Sequence, residues 1–341
     1  MRIKLLIATD DSDYGEHLSA ELSVHHSGVV ETVVCSTAER LREVLAARKF
    51  DAALLEAHMT EGLDLSPITQ PLLLKGTDGG AGDAGSAVNA GSGFTKLREI
   101  KKYQRVTSIV SDVLEQSARV STVRCDDPLR ARLTAVWSPA GGVGKTTVAL
   151  AYAAKKVLEG KLVLYLNLES FSSVPAYFAE TGKSISSLFE MLESNEGNAQ
   201  MLIQSIECRD SEGISYFCRP VNYDDMNVLS SGNIASLLNA CSRLTDELVV
   251  DLTCLCDERT ARVFDAADRI FIVTDPSETA RIKVSQFTSQ HGIYRSIKEK
   301  VVFVENRSEG AGKPAPESTL RLPAVRTGDH TTAYKTLSAY F

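Results

Sequence analysis

The sequence predicts an α/β protein of two domains, each a mainly parallel sheet with helices on both faces. Three observations lead there. Short apolar runs alternate with amphipathic stretches of helical period along most of the chain. A glycine-rich "GGVGKTT", Gly141 to Thr147, falls between an apolar run and an alanine-rich helical one. Between the two alternating halves, over 119–131, polarity rises and periodicity fades, which reads as a linker. The expected domains are therefore 1–118 and 132–341.

In the first half, "IKLLIAT" (Ile3 to Thr9) reads as a buried strand, followed by a helical segment around Glu16 to Ser23. "VETVVCS" (Val30 to Ser36) is a second strand. Leu41, Val44 and Leu45 then share a helix face, with Thr37 placed to cap it. "DAALLEA" (Asp51 to Ala57) and "PLLLKG" (Pro71 to Gly76) are further strands. Strands separated by helices of this length make parallel βαβ units. Gly76 to Gly93 contains seven glycines and four alanines, a composition that opposes helix and predicts a flexible loop. Val106, Ile109, Val110, Val113 and Leu114 resume a helical stripe.

In the second half, strands are expected at "RLTAVWS" (Arg132 to Ser138), "KLVLYLNLES" (Lys161 to Ser170), "DELVVDLTC" (Asp246 to Cys254), "RIFIVTDPSET" (Arg269 to Thr279) and "KVVFVENRS" (Lys300 to Ser308). A helix is expected from Thr146 to Gly160. The loop between the first strand and that helix has the makings of a phosphate cradle. Gly141, Gly142 and Gly144 let the backbone N–H groups, Val143 among them, turn toward an anion, and the helix N-terminus adds partial positive charge. Lys145 is placed to meet the β- and γ-phosphates of ATP, and Thr146 to coordinate Mg²⁺, with Thr147 beside it. Asp251, at the end of a later apolar strand, is placed to hold Mg²⁺ or its water shell.

Bulk properties narrow the function classes. The 341 residues are 43% hydrophobic and 24% charged, with a net charge of −7. That gives no global electrostatic case for nucleic acid or an anionic membrane. Over 126–341, Lys plus Arg is 23 against 27 Asp plus Glu, which argues against a DNA-binding face there. The seven scattered cysteines show no zinc spacing and read as reduced thiols. No apolar run reaches spanning length, and "MRIKLLIATDDSD" reads as a strand rather than a signal peptide, so a cytoplasmic chain is expected.

On these residues the second half resembles the ParA/MinD group of deviant-Walker ATPases. "AGGVGKTT" (Ala140 to Thr147) matches that group's "KGGVGKTT", and "LYLNLE" (Leu164 to Glu169) matches its "hhhDhD" strand. The resemblance implies that Glu169 positions the attacking water, with Asn167 in place of the preceding aspartate. It also implies that Asn306, with Arg307 beside it, contacts the base, and that "RLPAVR" closes over it. The group forms ATP-sandwich dimers, so a homodimer is implied. Its lysine at position 140 reaches the partner's phosphates, a device of the arginine-finger kind worth about 10³–10⁵ in rate in other phosphoryl-transfer enzymes. Alanine stands there instead, so ATP binding with slow turnover is expected. Pro139 also departs from the strict glycine pattern.

The first half resembles a receiver domain, in a flavodoxin-like fold. "IATDDSDYGEHL" matches the strand and acidic pair that bind Mg²⁺, at Asp10 and Asp11. "LLEAHMTEG" matches the phosphoacceptor strand with Glu56 in the aspartate's place, and "EIKKYQ" matches the lysine segment, best at Lys102. The longer acid is displaced from acyl-phosphate geometry. A docking platform is the preferred role, with a permanent-anion mimic the alternative. An atypical receiver fused to a deviant-Walker ATPase resembles the TadZ/CpaE proteins, which help place Tad pilus machinery. That implies pilus or secretion assembly proteins as partners, and recruitment to the membrane face or a cell pole through them. The competing expectations are a ParA-type partition ATPase, a two-component response regulator and a nucleotide-binding scaffold without turnover.

Overall fold

The computed structural model describes residues 2–25, 30–76, 87–89, 94–120, 131–194, 198–308, 319–327 and 329–341. They form two compact units. The first comprises the described residues of 1–123 with 198–205, and the second those of 131–194 and 206–341. The placement of 198–205 in the first unit was not foreseen from sequence. The expected linker at 119–131 falls mostly outside the described residues.

In the first unit the elements are β1 (Ile3–Ala8), α1 (Ser12–His25), β2 (Val30–Cys35), α2 (Ala38–Ala47), β3 (Phe50–Glu56), β4 (Ile68–Lys75), β5 (Ala87–Asn89), β6 (Phe94–Lys96), β7 (Arg98–Lys101) and α3 (Val106–Val120). Its main sheet has the order β2-β1-β3-β4-β7, all pairs parallel. That is the doubly wound 2-1-3-4-5 order. Period-two alternation splits its side chains between two cores. Leu6, Leu55 and Leu73 pack with Leu41, Val44 and Leu45 of α2. Leu5, Ile7, Leu54 and Leu72 pack on the other face with Leu18 and Leu22 of α1 and Ile109 and Val113 of α3. Thr37 caps α2 by accepting from the Arg40 N–H, as its position predicted. The glycine-rich stretch departs from the loop reading at its end, where β5 pairs antiparallel with β6. A three-residue hairpin strand carries too little periodicity to register in sequence. Residues 77–86 and 90–93 lie outside the described set.

The second unit contains β8 (Arg132–Trp137), α4 (Lys145–Leu158), β9 (Val163–Asn167) and α5 (Ser186–Ser194), then α6 (Ala199–Ile206), whose first seven residues belong to the first unit. After these come β10 (Cys208–Arg209), β11 (Ile214–Tyr216), α7 (Ser231–Ser242), β12 (Glu247–Asp251), α8 (Glu258–Ala266), β13 (Arg269–Thr274), α9 (Glu278–Thr288), α10 (His291–Ile297), β14 (Val301–Ser308), β15 (Thr319–Pro323) and α11 (His330–Leu337). The sheet runs β10-β11-β9-β12-β8-β13-β14-β15, parallel except for the β10 edge. The five anticipated strands are its contiguous centre; β10, β11 and β15 are short additions at its edges. β8 thus sits mid-sheet between β12 and β13, so the loop leaving its carboxyl end opens at the sheet's centre, where doubly wound folds bind ligands. Ala149, Ala151 and Ala153 of α4 are fully buried, and their small side chains let the helix lie close on the sheet.

Leu54 is fully buried on the central strand of the first sheet. Leu54→Ala is expected to destabilise the first unit by about 2–5 kcal/mol, measured as a shift of its urea transition at constant slope.

Candidate nucleotide-binding site

The loop after β8 turns on two glycines in left-handed conformation, Gly142 (φ 75°) and Gly144 (φ 88°). Gly144 is also where α4 starts, and a Cβ there would strike the Asn306 amide. Only glycine meets both demands. The loop is pinned from the end of β14: the Asn306 amide donates to the Val143 carbonyl at 2.9 Å, and Arg307 donates to that of Gly142 at 3.1 Å. Arg307 itself takes a positive φ of 57°, unusual outside glycine. Asn306 is therefore placed against the loop, with its amide nitrogen occupied there.

At the opposite side stands Asp251, fully buried at the end of β12. One of its oxygens, Oδ2, accepts three hydrogen bonds: from Thr146 Oγ1 at 2.7 Å, Tyr165 Oη at 2.8 Å and Asn167 Nδ2 at 3.2 Å. The other, Oδ1, is buried and has no partner among the described residues. An unmet buried carboxylate oxygen is costly unless something occupies its lone pairs. Burial, and then the charge of Glu169, push this carboxyl up to about 6. Burial and the Asp251 charge push the Tyr165 phenol well above its ordinary value, so it stays a donor. Hard oxygen donors from Asp251 and Thr146 around an unmet anionic oxygen fit Mg²⁺.

Glu169 lies two residues beyond β9, where its carboxylate accepts from Asn167 Nδ2 at 3.3 Å and Ser173 Oγ at 3.4 Å. Ser173 also lies 3.4 Å from the Thr146 hydroxyl. Thr147 Oγ1 meets Tyr177 Oη at 3.1 Å. Lys145 is largely buried, its ammonium 3.4 Å from the Cys254 sulfur, and Gly141 lies near the same sulfur. Ala140 is 4% exposed and belongs to the apolar core. The expected residues Lys145, Thr146, Asn167, Glu169 and Asp251 are thus brought together, with Asn306 and Arg307 behind the loop.

Tyr165, Ser173, Tyr177 and Cys254 were missed. For Tyr165 a signal existed: Tyr165, Asn167 and Glu169 alternate with leucines, so period two places three polar groups on one side of an otherwise apolar run. Ser173, Tyr177 and Cys254 come from loops, where no periodicity points to them.

The first unit gathers its own cluster at the carboxyl ends of β1 and β3. Lys102 Nζ lies 2.7 Å from Glu56 and 3.4 Å from Asp11, and its ammonium lies over the Tyr14 and Tyr103 rings at 5.1 and 5.3 Å. Glu56 also accepts from the Thr9 hydroxyl at 2.9 Å and the Asp10 N–H at 3.0 Å. Tyr103 donates its hydroxyl to Asp11 at 2.7 Å, while the Asp10 carboxylate lies 3.2 Å from His58. Burial alone would raise the Glu56 carboxyl, but Lys102, the Asp10 amide and Thr9 outweigh it and hold the group below the usual carboxylate range. Lys102 is raised: burial opposes its charge, and Glu56 more than offsets that.

No protein-family model matches the chain, and no curated protein does. Among solved structures, a ParA-family ATPase from Chlorobium tepidum aligns over 57% of this chain and 84% of its own, at a TM-score of 0.50 and 17% identity. The chain carries a ParA-type ATPase fold. Lower-scoring similarities include a plasmid partition protein from Borrelia burgdorferi (15% identity, TM-score 0.48, 62% of this chain and 97% of that one). Another is the septum site-determining protein MinD with Mg-ADP from Pyrococcus horikoshii (15%, 0.44, 61% and 94%). Among the described residues no helix is long and apolar enough to cross a membrane.

Lys102→Met leaves the buried Glu56 carboxylate without its cation, at an expected cost on the order of 3 kcal/mol near pH 7. The wild-type Glu56, with its folded pKa lowered, contributes stability above its unfolded pKa of about 4.3 and loses it as pH falls through the folded value. In the variant the unpaired carboxyl titrates higher. The stability gap between the two proteins should therefore narrow as pH falls toward about 4.3 and close only as it passes below the lowered wild-type value, as read by urea unfolding across pH.

Proposed function

We propose that this chain is a Mg²⁺–ATP-binding switch of the deviant-Walker kind, turning over slowly and dimerising across the phosphate loop. The observation that carries it is the unmet Asp251 Oδ1 beside the Thr146 hydroxyl, at the foot of a glycine loop that opens a helix. Anion-binding backbone and a cation-binding acid then face one another, which is what a metal-chelated polyphosphate requires. When bound, Mg²⁺ supplies charge neutralisation of the phosphates.

In this reading the backbone of Gly141 to Gly144 cradles the phosphates, and Lys145 swings from Cys254 to pair with them. Asp251 and Thr146 hold the metal or its water. Tyr165 and Asn167 fix the Asp251 carboxylate by occupying Oδ2, leaving Oδ1 as the oxygen available to the cation. Glu169, oriented by Asn167 and Ser173, positions water. Asn306 and Arg307 fix the loop, and the Asn306 carbonyl oxygen faces the base. Ala140 offers no cation to a partner's phosphates, so ground-state binding is kept while transition-state stabilisation is weak.

The finer assignment is an assembly or localisation factor of TadZ/CpaE type, with pilus or secretion assembly proteins as partners and the first unit as an atypical receiver. The 2-1-3-4-5 sheet and the Lys102–Glu56–Asp11 cluster support the receiver reading. Because Lys102 already neutralises Glu56, the unit is suited to docking rather than phosphoryl acceptance. Its role would be to recruit the chain to the membrane face or a cell pole through partners.

Lys145→Ala should weaken Mg²⁺–ATP binding by about tenfold or more, since it removes a charge-assisted contact worth about 1.5–3 kcal/mol. Glu169→Gln should keep affinity and lose the residual turnover. Equilibrium binding of a fluorescent ATP analogue and single-turnover phosphate release measure the two. Unchanged affinity in Lys145→Ala would overturn the site, and turnover unaffected in Glu169→Gln would remove the water-positioning role. Deleting the gene should abolish pilus assembly; intact pili would sink the finer assignment.

A further inference from the structure

Away from the loop, two thiols meet at the edge of the second sheet. Cys208 opens β10, and Cys218 follows β11 by two residues; their sulfurs lie 3.9 Å apart. Neither belongs to the nucleotide site. Cys218 is buried and Cys208 is half-buried, so what exposure the pair has is on the Cys208 side. The backbone of Gly182 lies directly on both sulfurs: a Cβ at that position would collide with the Cys208 sulfur and press on that of Cys218. The segment holding Gly182 is tied to the same strands. The Ile185 N–H donates to the Cys218 carbonyl at 3.3 Å, Ser184 Oγ donates to the Arg219 carbonyl at 2.7 Å, and the Tyr216 hydroxyl donates to the Ala179 carbonyl at 2.7 Å.

We propose that Cys208 and Cys218 are a redox-active dithiol that closes to a disulfide on meeting a low-molecular-weight disulfide, and in doing so clamps the 179–185 segment onto the sheet edge. The sulfurs need to approach by about 1.9 Å to reach bonding distance, so closure turns the two side chains toward each other. The Cys208 thiolate attacks one sulfur of glutathione disulfide and expels a glutathione thiolate, giving a mixed disulfide. The Cys218 thiolate then attacks the Cys208 sulfur and expels the second glutathione. Two cysteines are oxidised by two electrons, one glutathione disulfide is reduced to two thiols, and the two cysteine protons leave with those thiols. Burial, then the adjacent thiol, push Cys208 up to about 12, so thiolate is scarce near neutrality and the exchange is slow. The site is independent of the nucleotide reading.

The test uses the full chain carrying Cys254→Ser and Cys256→Ser, which removes the two exposed thiols near the loop. It is equilibrated with a buffer of glutathione and glutathione disulfide under native conditions and in urea, quenched with an alkylating agent, digested and mapped by mass spectrometry. The expected result is a 208–218 cross-linked peptide with loss of two hydrogens, in a higher fraction at equilibrium in the native protein than in urea, because the fold holds the two sulfurs together. Trypsin should also cut after Lys183 several-fold more slowly in the oxidised protein, and at equal rates with and without oxidant in Cys208→Ser. Three outcomes overturn the dithiol: both cysteines still alkylated, a glutathione adduct that persists on Cys208, or a cross-link no more populated at equilibrium in the native protein than in urea. Unchanged cleavage after Lys183 in cross-linked protein overturns the clamp.

Discussion

A single carboxylate organises the second unit. Asp251 is fully buried at the end of a central strand, with Oδ2 saturated by donors from α4 and β9 and Oδ1 unmet. A buried ion so placed is unstable on its own, and its three donors fix where the other elements stand. The first turn of α4 must bring Thr146 within reach, which constrains the loop after β8. Tyr165 and Asn167 must present their polar ends on one side of β9, which sets that strand's register. The rise of the carboxyl to about 6 expresses the same tension, since burial and then the charge of Glu169 disfavour its ionised form.

The two units handle buried charge in opposite ways. In the first, Glu56 is fully answered from within by Lys102, Thr9 and the Asp10 amide, and aromatic rings hem in the lysine. Such a cluster is self-contained and needs no ligand to be stable. In the second, the acid is left half answered and the lysine rests against a thiol, a weak acceptor. One cluster is suited to holding a shape; the other is suited to binding.

Most of the central strands were legible as apolar runs, several of them with an acid or amide at or near the carboxyl end, as at Glu56, Asn167, Asp251 and Asn306. The glycine loop was legible because a left-handed turn leading into a helix admits few residues, and Gly142 and Gly144 occupy both such places. The edge strands at Cys208, Ile214, Ala87 and Phe94 were not, since two or three residues carry no period. Nor was the allocation of 198–205 to the first unit, because an amphipathic helix states that it has a partner without saying which.

By itself the sequence determined the α/β class and the place of the glycine loop between strand and helix, and it offered Lys145, Thr146 and Asp251 as candidates from local pattern, with Glu169 added by resemblance. Only the tertiary structure decided which oxygen of Asp251 is left free, that Asn306 and Arg307 brace the loop from β14, that Ala140 is buried, and that Lys102 closes over Glu56. Each of these joins residues far apart in sequence. Such contacts follow from strand order and packing, which no periodicity along one segment encodes.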